Sequence, residues 1–153
     1  MNLDFSDDQK FLQAEAKKFL EKENSVNRSR NVLDTDQNVD KELWSKIVEL
    51  GWTGSRIPEE YGGLSLPISA GAAILEEIHR SGGNAAACHA QMYTMGTVLR
   101  HGSDTQKQQY LPSIADGSMR LQAFGVTEPT SGTDTTALRT TARRDGDDYV
   151  VVV

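Results

Sequence analysis

Leu121-Gln122-Ala123-Phe124-Gly125-Val126-Thr127-Glu128-Pro129-Thr130-Ser131-Gly132-Thr133-Asp134 is where the pattern of the chain changes. Before it, apolar residues recur at helical spacing; from Leu121 the pattern turns strand-like. Leu121–Val126 reads as a strand, Thr127–Thr136 as a turn-rich loop, and Leu138–Arg143 as a segment rich in β-formers. Asp145-Gly146 is a hairpin signal, with a second strand over Tyr149–Val153. The predicted fold is mainly α: a helical bundle over 1–120, then the first strands of a truncated antiparallel β domain over 121–153. A lone hairpin is marginal in water, so the β part is expected to be incomplete.

Working back from that junction, helix signals come in order. Ser6 with Gln9 forms a capping-box pattern, and Leu12, Ala16 and Phe19/Leu20 follow on one face, predicting a helix from Asp7 to Glu21. Asn24–Val39 is polar and aperiodic and reads as a loop. Asp40 caps a second helix with Leu43, Ile47 and Leu50 on one face and Gly51 as its stop. Leu66–Arg80 reads as a third. Asn84–Arg100, with small and apolar residues around most of its circumference, reads as a fourth helix buried at the bundle centre. Ser103 and Gln106 open a fifth that meets Pro112 and ends near Asp116-Gly117.

Composition excludes several classes. The 153 residues are 37% hydrophobic and 25% charged, within the globular range and unlike a disordered chain. The net charge of -6 disfavours non-specific binding to nucleic acid. No apolar run approaches the length needed to span a bilayer, and the acidic start, MNLDFSDDQK, lacks a leader pattern; a cytoplasmic location is the expectation. A single cysteine, Cys88, forbids an intrachain disulfide.

The densest candidate for chemistry is Val126–Asp134. Hydroxyls and successive N–H groups beside a glycine can hold a pyrophosphate without a cation. Composition alone favours a surface turn rich in Ser and Thr, and the absence of a lysine after Gly132 excludes a P-loop. His79, His89 and His101 match no metal-ligand spacing, so no metal is expected. Cys88 reads as packed rather than nucleophilic. Trp44 and Trp52 read as packing anchors, and Met92, Tyr93 and Met95 as ordinary core. Glu76-Glu77 reads as a solvated helix edge, and Glu128 as a support for its loop.

Val126-Thr127-Glu128-Pro129-x-x-Gly132-Thr133-Asp134 resembles the signature of the acyl-CoA dehydrogenases, usually V-T-E-P-G-A-G-S-D. Phe5–Gln9, Leu50-Gly51-Trp52, Pro58–Leu64 and Gly102–Pro112 agree in order and spacing, so the resemblance covers nearly the whole chain. It implies FAD as cofactor. Phe124, Val126 and Thr127 would lie by the flavin ring, Gly132 and Thr133 by the pyrophosphate, with Thr133 also beside the acyl-CoA substrate. Thr133 replaces a serine and keeps the hydroxyl, whereas Thr130 replaces a glycine.

The implied reaction is α,β-dehydrogenation of an acyl-CoA thioester, in fatty acid metabolism. The family's glutamate base lies in a C-terminal helical domain, so no catalytic residue is assigned here, and Glu76, Glu77 and Glu128 do not take that role. Val152-Val153 stand where the family has Asn-Gly. The chain alone is expected to bind FAD weakly or not at all and to turn over no acyl-CoA. The resemblance also implies a homo-oligomer at full length and an electron-transfer partner that it does not identify. An acyl-CoA oxidase or flavin monooxygenase on the same scaffold is an alternative, and a non-catalytic helical interaction module is another.

Overall fold

The computed structural model describes residues 4–35, 39–121 and 125–152. The chain divides into two compact units, Met1–Gln122 and Ala123–Val153.

The first unit is helical. α1, Asp7–Glu23, starts at the expected capping box: Gln9 N–H donates to Ser6 Oγ at 3.3 Å, and Ser6 N–H donates to Gln9 Oε1 at 2.9 Å. Gln9 also donates through Nε2 to Ser69 Oγ at 2.5 Å, so the residue that starts α1 ties it to α4, Ile68–Arg80. α2, Val26–Leu33, falls in the stretch expected to be a loop. Ser25 caps it by accepting from Arg28 N–H at 3.1 Å, and Arg28 pairs with Asp40, whose side chain caps α3, Lys41–Glu49. None of its residues is buried, and at eight residues with Val26, Val32 and Leu33 among polar ones the helix is too short for its periodicity to stand out. Gly51, at φ 71°, ends the following turn as expected.

α4 carries Ile74 and Ile78 into a core with Ala16, Leu20, Ile47 and Trp52. Phe19 meets the Trp52 ring edge-on at 5.4 Å between centroids. α5, Ala86–His101, and α6, Asp104–Ala115, build a second core from Met92, Met95, Leu111 and Ile114 around Ile57. The α6 capping box at Ser103 and Gln106 is formed.

Two expectations for this unit need correcting. α5 buries one face, through Cys88, Gln91, Met92 and Met95, whereas Ala86, His89 and Thr97 are exposed. Alanine and threonine tolerate solvent, so their presence around the circumference does not require burial. Glu77 is 3% exposed, not on a solvated edge; it accepts from Gln13 Nε2 at 2.9 Å across the α1–α4 contact. Its neighbour Glu76 is exposed and pairs with Arg80 at 2.6 Å.

The second unit holds the loop and a hairpin. β1, Thr141–Asp145, pairs antiparallel with β2, Asp148–Val152, in the register Thr141↔Val152 to Asp145↔Asp148. Gly146, at φ 63°, lies in the two-residue connection, as its sequence signalled. Every residue of both strands is exposed. The strand expected over Leu121–Val126 does not form at its described residues. Leu121, Gly125 and Val126 have no strand partner among the described residues, and a strand exists only through its ladder; 122–124 lie outside them.

Candidate functional site

The loop after Gly125 is braced from within. Glu128 N–H donates to Ser131 O at 2.9 Å and Ser131 N–H returns to Glu128 O at 3.2 Å, closing a turn over Pro129-Thr130. Pro129 suits this turn because its φ is already fixed. The Ser131 hydroxyl donates to Asp134 O. Asp134 Oδ1 accepts from Thr136 N–H at 3.1 Å and from the Thr136 hydroxyl at 2.5 Å, shaping the 3-10 turn Thr135–Ala137. These bonds favour the ionised Asp134 and hold its pKa below the ordinary value, the Thr136 hydroxyl foremost.

Glu128 is the anchor. Its side chain accepts from Arg139 N–H at 2.8 Å, from Thr140 N–H at 2.7 Å and from the Thr140 hydroxyl. The Thr140 hydroxyl contributes most to lowering its pKa. The residue is 8% exposed, so this is a buried carboxylate satisfied locally. The supporting role expected for Glu128 is the one it has.

The residues singled out in the sequence lie on the outside of this scaffold. Thr127, Gly132 and Thr133 are exposed and Val126 is half-buried; Phe124 lies outside the described residues. A methyl group built on Gly132 would stand 3.8 Å from Thr127 Cγ2, so the two ends of the loop are adjacent. That separation is ordinary contact, and Gly132 has no positive φ, so nothing in the described chain requires glycine there. The N–H groups of Gly132 and Thr133 and the hydroxyls of Thr127 and Thr133 have no partner among the described residues. Thr130, in place of the family's glycine, is exposed and needs no left-handed backbone, a conformation confined among described non-glycine residues to Ser65.

Several other residues singled out in the sequence lie in the helical unit. Met92 and Met95 are core. Cys88 is 3% exposed, and burial pushes its thiol up to about 11, far from thiolate chemistry at neutral pH. Among the described residues no group of His, Cys, Asp and Glu is placed to hold a metal ion. The helical unit contains a cavity of about 460 Å³, with Leu20, Trp44, Ile47 and Cys88 in its wall and the Arg28–Asp40 pair beside them. No described helix is long and apolar enough to cross a membrane.

Residues 6–118 match the family profile described as acyl-CoA dehydrogenase, N-terminal domain. The chain belongs to the acyl-CoA dehydrogenase family. It is 38% identical over 111 residues to the acyl-CoA dehydrogenase FadE12 of Mycobacterium tuberculosis, covering 72% of this chain and 28% of that protein. Its fold matches the acyl-CoA dehydrogenase of Geobacillus kaustophilus with a TM-score of 0.80 at 27% identity, over 99% of this chain and 39% of the other. An acyl-CoA dehydrogenase from Bacillus anthracis, solved in complex with FAD, matches with a TM-score of 0.74 at 30% identity, over 97% of this chain and 25% of that one. The chain thus spans between a quarter and two fifths of the length of these relatives.

The grip of Glu128 on Arg139 and Thr140 escapes a sequence reading. Its partners are 11 and 12 residues away, and no local turn pattern links them. The hydroxyl-rich run itself was the available signal.

Proposed function

We propose that this chain supplies the N-terminal helical domain and the start of the middle β domain of an FAD-dependent acyl-CoA dehydrogenase. In this reading the loop Val126–Asp134 forms one wall of the cofactor site. The observation that carries it is the combination at Gly132: a loop braced inward by Glu128, Ser131 and Asp134, with outward donors left unused and a glycine that the chain's own packing does not need. Family membership and the FAD complex of the Bacillus anthracis relative support the same reading.

The residues present fit the group. The Gly132 and Thr133 N–H groups and the Thr133 hydroxyl are donors for a pyrophosphate, which bare glycine backbone lets approach closely. Thr127 would offer its hydroxyl, and Val126 and Phe124 their backbone, toward the flavin ring; Thr133 would also border the acyl-CoA. FAD, when bound, supplies the acceptor for the hydride leaving the β carbon as a base takes the α proton.

The carboxylates of this chain are poor candidates for that base. Glu128 is saturated by donors that favour its ionised form, and Glu77 is buried against Gln13 and Arg80. Glu76 is exposed and paired. The family resemblance places the base in a C-terminal helical domain, so in this reading the chain helps to position cofactor and substrate and another part of the enzyme supplies the base.

The test is an FAD titration of the isotope-labelled chain followed by amide NMR, with a dye-coupled acyl-CoA assay beside it. Weak binding is expected, with the largest shifts at Thr127, Gly132 and Thr133, and no turnover. FAD-induced shifts confined to other residues, with none at Thr127, Gly132 and Thr133, would remove the loop from the cofactor site. Robust turnover would show that the base lies within the chain.

A further inference from the structure

Arg56 lies between α4 and α5 with nothing described to neutralise it. Its neighbours Ser55 and Ile57 are fully buried, so its backbone is fixed. A methyl group built on Gly71 of α4 would stand 3.8 Å from Arg56 Cδ, and one built on Gly96 of α5 would stand 3.2 Å from Nη1. The side chain therefore passes α4 and its fork reaches α5, through room that two glycines leave. Met92 Sδ, 3.4 Å from the same Gly71 position, adds an apolar wall.

The residue is half-buried and makes no hydrogen bond or ion pair with any described residue. The other arginines differ. Arg28 pairs with Asp40, Arg80 with Glu76, Arg120 lies over Trp44, and Arg144 donates to Gly146 O. Arg30, Arg100, Arg139 and Arg143 are exposed. Among the described arginines, Arg56 alone is partly withdrawn from water without a partner, so its fork is left with donors that a counter-charge could use.

We propose that Arg56 is the receiving site for a carboxylate carried on an aliphatic body. The guanidinium fork matches a carboxylate edge with two parallel N–H···O bonds and equal opposite charge. Methylene groups suit the partly exposed backbone at Gly96, beneath which Met92 and Gly71 are buried. A phosphate dianion is matched less well, because its oxygens need more donors than one fork beside methionine and glycine provides. The carboxylate comes either from a small aliphatic acid or acyl tail, or from an acidic side chain of another copy of this chain. The inference stands apart from the flavin loop and does not depend on it.

The experiment follows the Arg56 Nε–H signal of the isotope-labelled chain during titration with propionate and, separately, inorganic phosphate. Saturable binding of propionate is expected, with a midpoint at least tenfold below the drift of the exposed Arg30 and Arg143 signals, and a weaker response to phosphate. Arg56→Lys should weaken the response several-fold and Arg56→Gln should abolish it. Gly96→Ala keeps the charge but crowds the fork, so it should also weaken binding while leaving the melting temperature unchanged or raised. If the Arg56 signal also moves with chain concentration in the absence of additive, and propionate reverses this, the carboxylate belongs to a second copy. An Arg56 response no different from that of Arg30, tighter binding of phosphate, or full binding by Gly96→Ala would overturn the proposal.

Discussion

Glu128 and Thr140 are joined through one oxygen: Glu128 Oε1 accepts both the Thr140 N–H, at 2.7 Å, and the Thr140 hydroxyl. With Arg139 N–H on the other oxygen at 2.8 Å, the carboxylate fastens the loop to the entry of β1. These donors hold the Glu128 pKa below its ordinary value, the Thr140 hydroxyl contributing most. A depressed folded-state pKa stabilises above the unfolded value and loses that contribution as pH falls through the folded one. Hydrogen-exchange protection of the Arg139 and Thr140 amides is therefore expected to persist at neutral pH and to fall on acidification below the usual carboxylate range. In Glu128→Gln one amide group must face an N–H donor, so protection should be low throughout and insensitive to pH.

Asp40 does two jobs in the helical unit. It caps α3 by accepting from Leu43 N–H at 2.9 Å, and it pairs with Arg28 of α2. The Arg28 hydrogen bond is the main cause of its lowered pKa, from 3.8 to about 2. Both side chains are less than a third exposed, at 26% and 19%, so the pair is only partly screened. Linkage makes this about 2 kcal/mol of stability at neutral pH, present above pH ~4 and lost as pH falls toward ~2. Asp40→Asn keeps an acceptor for the cap and should forfeit most of that amount. Asp40→Ala should lose about 1 kcal/mol more with the cap. Denaturant unfolding of the three proteins at pH 7 and pH 3 measures both steps, and the wild-type advantage should shrink at the lower pH.

Glu76 and Glu77 are adjacent in sequence and opposite in consequence. Glu76 is exposed and pairs with Arg80 one turn on, an arrangement worth little in water. Glu77 is buried and receives Gln13 from α1. Glu76→Ala should change stability by no more than about 0.5 kcal/mol. Glu77→Ala, which leaves Gln13 without its buried acceptor, should cost about 1–3 kcal/mol. Thermal or urea unfolding separates them; equal effects would mean that the α1–α4 contact does not depend on this bond.

What could be read from the sequence was what neighbours determine. The capping boxes at Ser6 and Ser103, the Asp40 cap and the Gly146 hairpin each follow from residues within a turn, and each formed. What escaped depends on distant partners. α2 has no buried residue, and its Arg28 is held by Asp40 from the next helix. Glu77 is buried and its acceptor is satisfied by Gln13, 64 residues away. In the candidate site, the hydroxyl-rich run and Gly132 were visible as composition. The division of that run into inward braces, Ser131 and Asp134, and outward donors, Thr127 and Thr133, required the fold. A serine or threonine looks alike in either role until its hydroxyl has a partner.

Gly132 offers a test in which folding and cofactor binding separate. A methyl group at this position would meet only Thr127 Cγ2 at 3.8 Å, and the backbone has no positive φ to strain. Gly132→Ala should therefore leave the Glu128–Ser131 turn intact, with exchange protection at Ser131 unchanged. If the loop is the pyrophosphate wall, the same methyl would stand between backbone N–H groups and the phosphate oxygens, and FAD-induced shifts at Thr133 should need several-fold more FAD. Thr133→Val, isosteric but without the hydroxyl, should weaken the response similarly, whereas Thr130→Gly should leave it near the wild-type value. A Gly132→Ala chain that binds FAD as well as the original would mean that glycine is not there to admit a ligand, and the cofactor would have to approach another face of the loop.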